Sequence, residues 1–260
     1  MFTKLIELFT VISREMTLDK CLVNIGAHDG IFADDPCYDL HRLLGFGGIA
    51  IDKGSYEERC ENLKDFPVVN INKYVTPDNI NGILEDNEIP SNFDFLKIDI
   101  DSFDGQLMET ILESGYRPSV ISIEINPEFP HPVQFCMQYT PEIKEAGSVV
   151  KFGLYGCSVA FAAHLAACYG YSPWYLTFGE VSCVQDMIFV RNSVMQKCGL
   201  DVIDVPKEYY QRRVSPAHLA MKAGINSFGW RKINSHSIRL EVIRQAIDLV
   251  EGFDYKFTLE

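Results

Sequence analysis

Cys21-Leu22-Val23-Asn24-Ile25-Gly26-Ala27-His28-Asp29-Gly30 is the stretch on which the fold turns. An apolar run stops at a Gly-x-x-x-Gly turn. About twenty residues on, a second apolar run, Gly48-Ile49-Ala50-Ile51, ends on an acid, Asp52. That is the layout of a nucleoside-binding β-loop-α-β unit. A glycine turn lets a ligand approach the backbone, and an acid at the next strand's tip can accept ribose hydroxyls.

Working outward, the chain alternates short apolar runs with helical stretches. Strands are expected at Leu22–Ile25, Gly48–Asp52, Pro67–Ile71, Phe93–Ile100 and Val120–Ile125. Helices are expected at Pro36–Leu44 after Asp34-Asp35-Pro36, at Ser55–Lys64, at Pro77–Asp86 with Thr76 as cap, and at Gln106–Ser114. Continuous apolar strands separated by helices imply a parallel sheet covered on both faces, a Rossmann-like doubly wound α/β fold. Beyond Pro127 the rhythm changes. Glu128–Gly153 reads as a loop rich in prolines and aromatics. A helix at Ser158–Tyr169 leads to two last strands, Trp174–Phe178 and Val184–Val190, as a hairpin around Gly179. Residues 1–192 form the expected α/β domain, opening on a helix over 1–17. Residues 193–260 form an extension packed on it, with an amphipathic helix near Ser237–Leu249.

The 260 residues are 47% apolar, enough for a sizeable core, and disorder is not expected. A net charge of −13 argues against a nucleic-acid partner. The basic residues Arg212, Arg213, Lys222, Arg231 and Lys232 read as solvated surface or a partner contact. None of the eight cysteines forms Cys-x-x-Cys. They read as reduced thiols of a cytoplasmic protein, not a disulfide framework or zinc site. Phe2, Leu5, Ile6, Leu8, Phe9 and Ile12 recur at helical spacing, interrupted by Lys4, Glu7 and Arg14. That describes an amphipathic helix, neither a signal peptide nor a membrane span.

Three places at the carboxyl ends of the expected strands carry chemistry, where open α/β sheets bind ligands. They are the Gly26–Gly30 turn with Asp52, the stretch Lys97-Ile98-Asp99-Ile100-Asp101-Ser102-Phe103-Asp104, and Glu124-Ile125-Asn126-Pro127 followed by His131. No Gly-x-Gly-x-x-Gly and no P-loop can be written at the turn. A nucleoside without a diphosphate fits better, and S-adenosylmethionine is such a ligand. Its cationic groups suit carboxylates at strand ends.

Val23-Asn24-Ile25-Gly26-Ala27-His28-Asp29-Gly30 resembles the first motif of the FkbM-type S-adenosylmethionine-dependent methyltransferases. Val75-Thr76-Pro77-Asp78-Asn79-Ile80-Asn81, Phe95–Asp104, Ile123–Pro127 and Asp186–Arg191 are similar to that family's later motifs, in order, over residues 20–192. The resemblance implies a seven-stranded sheet whose last strand is antiparallel, and methyl transfer to an oxygen or another nucleophile. It implies that Asn24, Gly26, Ala27, His28 and Gly30 line the methionine and ribose side. Asp52 would bind the ribose hydroxyls, Val75 and Thr76 would lie near the adenine, and Asp99 or Asp101 would face the charged end. Asn24 stands where the family carries an acid, and Lys53 where smaller or acidic residues are commoner.

A hydroxyl acceptor also needs deprotonation by a base or a metal. Asp101, Glu124 and His131 are the catalytic candidates. Asp101, Glu124 and Asn126 could hold a hard divalent cation through oxygen ligands, if the strand alternation runs that far. Phe129, Phe135, Tyr139, Trp174 and Tyr175 could cover an acceptor pocket, although core packing explains aromatics equally well. The leading expectation is O-methylation of a small-molecule or glycan-like acceptor. The alternative is a catalytically inactive methyltransferase-like module that binds a nucleoside or a partner. A nucleotide-dependent oxidoreductase lacks its fingerprint. The N-terminal helix and the tail could each supply a homo-oligomer interface.

Overall fold

The opening segment forms a strand: β1 spans Cys21–Ile25, with every residue from Leu22 buried. In this computed structural model the described residues are 2–31, 35–127, 129, 131–141, 155–177, 186–213 and 254–258. β2 (Gly47–Ile51) and β4 (Phe95–Ile98) flank β1, both parallel to it. β3 (Val68–Ile71), β5 (Val120–Glu124), β7 (Tyr171–Leu176) and β8 (Asp186–Arg191) complete a seven-stranded sheet of order β3-β2-β1-β4-β5-β8-β7. β8, the last of these in the chain, runs antiparallel to both of its neighbours. This is the α/β Rossmann-like sheet expected from the sequence, including its antiparallel last strand.

Register sorts the two faces. Leu22, Phe95, Val120, Ile188 and Val190 point one way and pack with Leu5, Leu8, Phe9 and Ile12 of α1 (Phe2–Glu15). Those four helix positions form an i, i+3, i+4, i+7 stripe, which is why this segment docks as a helix. Phe9 meets Phe46 and Phe95 edge-on, with ring centroids 5.0 and 5.7 Å apart. α2 (Pro36–Leu44) and α7 (Asn192–Cys198) contact α1. The opposite face, with Val23, Ile25, Leu96, Ile98, Ile121, Ile123, Met187 and Phe189, packs on α4 (Ile80–Asp86), α5 (Asp104–Glu113) and α6 (Val159–Cys168). α3 (Tyr56–Asn62) joins β2 to β3, and α8 (Val205–Arg213) follows α7.

The first face turns polar toward the carboxyl ends. Asn24 is the register partner of Lys97, Lys97 of Ser122, and Glu124 of Asp186, and all five are buried. Local chemistry sets the helix starts here. Asp35 caps α2 by accepting the Cys37 N–H at 2.7 Å, with Pro36 as first helical residue, as Asp34-Asp35-Pro36 signalled. Ser158 caps α6 by accepting the Phe161 N–H at 3.1 Å.

Three expectations change. The Glu128–Gly153 segment contains a strand, β6 (Gln134–Gln138), paired antiparallel with β9 (Asp254–Thr258). Thr76 does not cap α4. The cap position is Asn79, whose Oδ1 accepts the Thr76 N–H at 2.9 Å, so a turn precedes a later helix start. β7 begins at Tyr171, ahead of the expected Trp174. Gly179, the helix near Ser237–Leu249 and the basic residues Lys222, Arg231 and Lys232 lie outside the described residues. Among the described residues no helix is long and apolar enough to cross a membrane, and no disulfide joins the cysteines.

Candidate functional site: the strand tips around Asp52 and the acid group

The glycine turn is a packing requirement before it is a binding feature. The N–H groups of Gly26 and Ala27 both donate to the Ile51 carbonyl, at 2.9 and 3.2 Å. This draws the turn over the tip of β2. Gly26 has φ +84°, and a Cβ there would stand 1.6 Å from the Asp99 carbonyl oxygen. Only glycine allows β1 to turn this close to the chain leaving β4. Gly30, at φ +85°, would place its Cβ about 3.0 Å from the Leu63 side chain.

Asp52 ties this turn to its own strand tip. One carboxylate oxygen accepts the His28 N–H at 2.9 Å and the other the Gly54 N–H at 2.6 Å. An ionised carboxylate has about four acceptor positions, so capacity remains for ribose hydroxyls. Arg59 of α3 completes the arrangement from below and is fully buried. Its guanidinium donates to the carbonyls of His28, Gly54, Asp52 and Ile71, the last three at 2.9, 3.0 and 3.2 Å. One side chain therefore holds the tips of β1, β2 and β3 together. Burial pulls its pKa down, and the neighbouring Asp52 charge opposes this.

Above these tips lies a cavity of about 250 Å³, lined by Gly26, Ile51, Asp52, Lys53, Lys73, Tyr74, Val75, Ile100 and Ser102. It sits where β1 meets β4 and the strand order reverses, the switch point where such sheets bind ligands. Asp52 belongs to the lining, as do Ile100 and Ser102, which bracket Asp101 in the chain. The Lys53 ammonium lies 6.0 Å from the Tyr74 ring centroid, so cation and ring together form one wall.

Past the ends of β4 and β5 the carboxylates gather. Carboxylate oxygens of Asp99, Asp101 and Glu124 lie within 4.8 Å of one another. Asp104 is buried and shapes the loop, accepting the N–H groups of Ile100 at 2.8 Å and Ser102 at 3.0 Å. Lys97 enters from the polar face of the sheet, 3.0 Å from Asp99 and 3.6 Å from Asp35. Asn24 donates to the same Asp35 carboxylate at 2.9 Å.

The electrostatics follow from too many acids in a dry place. Burial, then the charges of Asp99, Asp101, Asp104 and Asp186, hold the Glu124 carboxyl well above its usual range. Burial and Asp99 raise Asp101, against the Glu124 hydrogen bond and Lys97. Asp104 and Asp186 are each pushed up to about 7, with burial the largest cause in both. Burial alone would lower the Lys97 pKa, but Asp35 and Asp99 outweigh it and hold the ammonium well above the usual lysine value.

Of the residues singled out in the sequence, Gly26, Asp52 and Val75 line the cavity. Asn24, Ala27, His28, Gly30, Thr76 and Asp99 lie outside its lining. Ala27 packs with Ala50 and Leu63, and Asn24 belongs to the Asp35–Lys97 network beneath the turn. Asp101 and Glu124 come together with Asp99. The side-chain amide of Asn126 donates to the Tyr155 carbonyl at 2.9 Å. β4 ends at Ile98 and Asp101 turns to φ +57°, so the strand alternation does not reach Asp101. His131 is partly buried on the segment after β5. Burial lowers its pKa and Asp204 partly restores it. Of the lid aromatics, Phe129 and Phe135 stack on each other at 3.8 Å in the interior, whereas Tyr139 packs edge-on against Phe103 at 5.1 Å.

Sequence reasoning missed Arg59, Lys97, Lys73, Tyr74 and Asp186. For Lys97 a signal existed, because a lysine inside an apolar parallel strand must meet counter-charges at the strand's end. For Arg59 there was none, since its helix reads as charged surface.

No protein-family model matches this chain, and no curated protein matches it. Solved structures do. A candidate hemolysin from Lactococcus lactis is 16% identical, covering 80% of this chain and 94% of its own, with a TM-score of 0.47. A candidate tRNA (m1A22) methyltransferase from Streptococcus pneumoniae, solved with S-adenosyl-L-methionine, is 12% identical over 93% of this chain and 94% of its own, at 0.44. The O-methyltransferase TomG from Streptomyces achromogenes, solved in complex with SAM, is 15% identical over 71% of this chain and 78% of its own, also at 0.44. At such identities and scores the fold assignment rests on the strand order and register of this chain itself.

Proposed function

We propose that the chain is an S-adenosylmethionine-dependent methyltransferase of the FkbM-type branch, directed at an oxygen of a small-molecule or glycan-like acceptor. One observation carries the reading. A cavity of about 250 Å³ at the sheet's switch point is lined by Asp52 and by Ile100 and Ser102, the chain neighbours of Asp101 in a carboxylate cluster. The donor set fits the cofactor: a ribose-competent acid where the sugar would lie, and anionic groups where its cationic part would lie. At 4 Å and an effective dielectric of 20, one such pairing amounts to about 4 kcal/mol before desolvation. Bound S-adenosylmethionine would supply an electrophilic methyl group on a sulfonium sulfur.

Toward that group the chain's own residues bind and orient. Asp52 fixes the ribose, and Val75 and Tyr74 flank the base. Gly26 lets the cofactor lie against the backbone. Asp101, an exposed residue, takes the acceptor's hydroxyl proton, and buried Glu124 positions the acceptor.

Calorimetry tests the reading. S-adenosylhomocysteine should bind at micromolar concentration, and Asp52→Ala should weaken it by roughly 10- to 100-fold, the loss of about 1.4–2.7 kcal/mol. If neither S-adenosylmethionine nor S-adenosylhomocysteine binds to folded protein, the reading is wrong.

A further inference from the structure

We propose that Cys136 and Cys157 are a disulfide-forming pair, a thiol–disulfide exchange site that ties β6 to the segment entering α6. Neither residue lines the cavity at the strand tips, and the pair does not depend on the methyltransferase reading.

Backbone register brings the two residues face to face. Cys136 and Cys157 form an antiparallel bridge. The Met137 N–H donates to the Gly156 carbonyl at 3.0 Å, and the Ser158 N–H to the Phe135 carbonyl at 2.8 Å. Those two bonds flank the pair, so Cys136 and Cys157 occupy a non-hydrogen-bonded position. Opposing Cα atoms there stand about 4.5 Å apart, and their side chains are at their closest. A disulfide asks for Cα atoms about 4.4–6.8 Å apart. The register therefore holds the pair within bonding reach.

A second observation comes from the first turn of α5. A Cβ on Gly105 would stand 2.8 Å from the Cys136 Sγ and 3.1 Å from the Cys157 Sγ. Both sulfurs crowd one point, so their separation cannot exceed the sum of those distances. The same Cβ would lie 2.7 Å from the Cys157 Cβ. Only glycine leaves room for the two thiols here, at a helical position that other residues would favour more. Burial, then the neighbouring Cys136, holds the Cys157 thiol well above its usual pKa. The pair is accordingly a protonated dithiol in this structure.

Both side chains are buried, so exchange proceeds when β6 opens locally. The oxidant is a small disulfide of the glutathione class. One cysteine thiolate attacks a sulfur of the oxidant, breaks its S–S bond and releases one thiolate. The other cysteine thiolate attacks the mixed disulfide, forms the Cys136–Cys157 bond and releases the second. The two cysteines give up two electrons and their two protons, and the oxidant leaves as two thiols. The bond joins residues 21 positions apart (157 − 136). It fastens β6 to a segment already held by the chain beyond β4 and β5. The Cys157 carbonyl accepts the Asn126 N–H at 2.7 Å, and the Gly156 N–H donates to the Ser102 carbonyl. Oxidation therefore ties β6 covalently to the backing of the acid group.

Glutathione disulfide is the probe. The full chain is incubated with it, the remaining thiols are blocked in denaturant, and joined peptides are identified by mass spectrometry. Folded wild-type protein should yield Cys136 bonded to Cys157. Its thermal midpoint should rise by roughly 5–10 °C, the effect of closing a loop of this length, and dithiothreitol should reverse the rise. In urea, where the register is lost, the same oxidant should scatter its bonds among the eight cysteines. Cys136→Ala and Cys157→Ala should each remove the midpoint shift, and a shift that persists in either overturns the pair. The wild-type measurement decides alone where a variant does not fold. Recovery of Cys136 and Cys157 as blocked thiols from oxidant-treated folded protein overturns the proposal. So does the same mixture of bonds from folded and unfolded chain. A Cys136–Cys157 bond that lowers the midpoint also overturns it, because the native register would then not accommodate the bond.

Discussion

Arg59→Met should unlatch the nucleoside cradle. The methionine keeps most of the aliphatic volume and removes the guanidinium from four carbonyls, those of His28, Asp52, Gly54 and Ile71. Hydrogen bonds to a charged group contribute about 1.5–3 kcal/mol each, so the gross loss is roughly 6–12 kcal/mol. The desolvation cost of the buried charge disappears with it and returns several kcal/mol. The net expectation is a destabilisation of about 3–5 kcal/mol, the range seen when one partner of a buried charged interaction is removed. Urea unfolding measures it, as a drop in midpoint at unchanged slope. Arg59→Lys keeps the charge and reaches fewer carbonyls, so it should fall between the two. S-adenosylhomocysteine affinity should drop in the same order, because the Asp52 and His28 backbones are what the arginine holds. A methionine variant within about 1 kcal/mol of wild type, the scale of a surface substitution, would refute the clamp.

Other perturbations follow the same geometry. Asp104 and Asp186, each pushed up to about 7 from the ordinary 3.8 of an aspartate, make the native state bind protons that the unfolded chain releases. Their contribution is therefore full below about pH 4 and is lost as pH rises through 7. Stability should fall between about pH 4 and pH 7, and Asp186→Asn should flatten that fall by roughly 2–4 kcal/mol; equal slopes in variant and wild type would dismiss the shift. Gly26→Ala must push the Asp99 carbonyl aside and hold alanine at positive φ, a conformational cost of about 1–2 kcal/mol before any displacement. It should abolish S-adenosylhomocysteine binding, read by calorimetry. Phe9→Ala, in the core under α1, should cost about 3–5 kcal/mol by urea titration and leave cofactor affinity of the folded protein unchanged.

Most of the strands legible from sequence are largely buried, so their apolar runs are continuous; β3 was legible from its β-branched run although Val69 is exposed. β1, β2, β4 and β5 announced themselves in this way. The Asp35-Pro36 helix start and the glycine turn were legible because their chemistry is local. β6 was not, because its ladder partner β9 lies far along the chain and nothing within Gln134–Gln138 shows it. The acid group was half legible. Residue types predicted a carboxylate cluster, but its membership depends on where β4 stops. The chain leaves the strand at Ile98, and alternation says nothing after that point. Arg59 was illegible for a related reason. Its four acceptors come from three strand tips that meet only in the folded sheet.

The pairing of β6 with β9 has a consequence for synthesis. One edge of β6 is satisfied early, since Met137 donates to Gly156 at 3.0 Å and Ser158 to Phe135 at 2.8 Å. Its other edge waits for β9. Gln138 pairs with Asp254, 116 positions later (254 − 138). At about 5–20 residues per second, that is roughly 6–23 s of translation with an open strand edge on the nascent chain. An unpaired edge is a template for another chain. A ribosome that stalls after the main sheet is made would leave β6 exposed for longer. The yield of this protein in a host should then depend on how quickly the stretch between residues 200 and 254 is translated, a sensitivity that synonymous codon changes there would reveal.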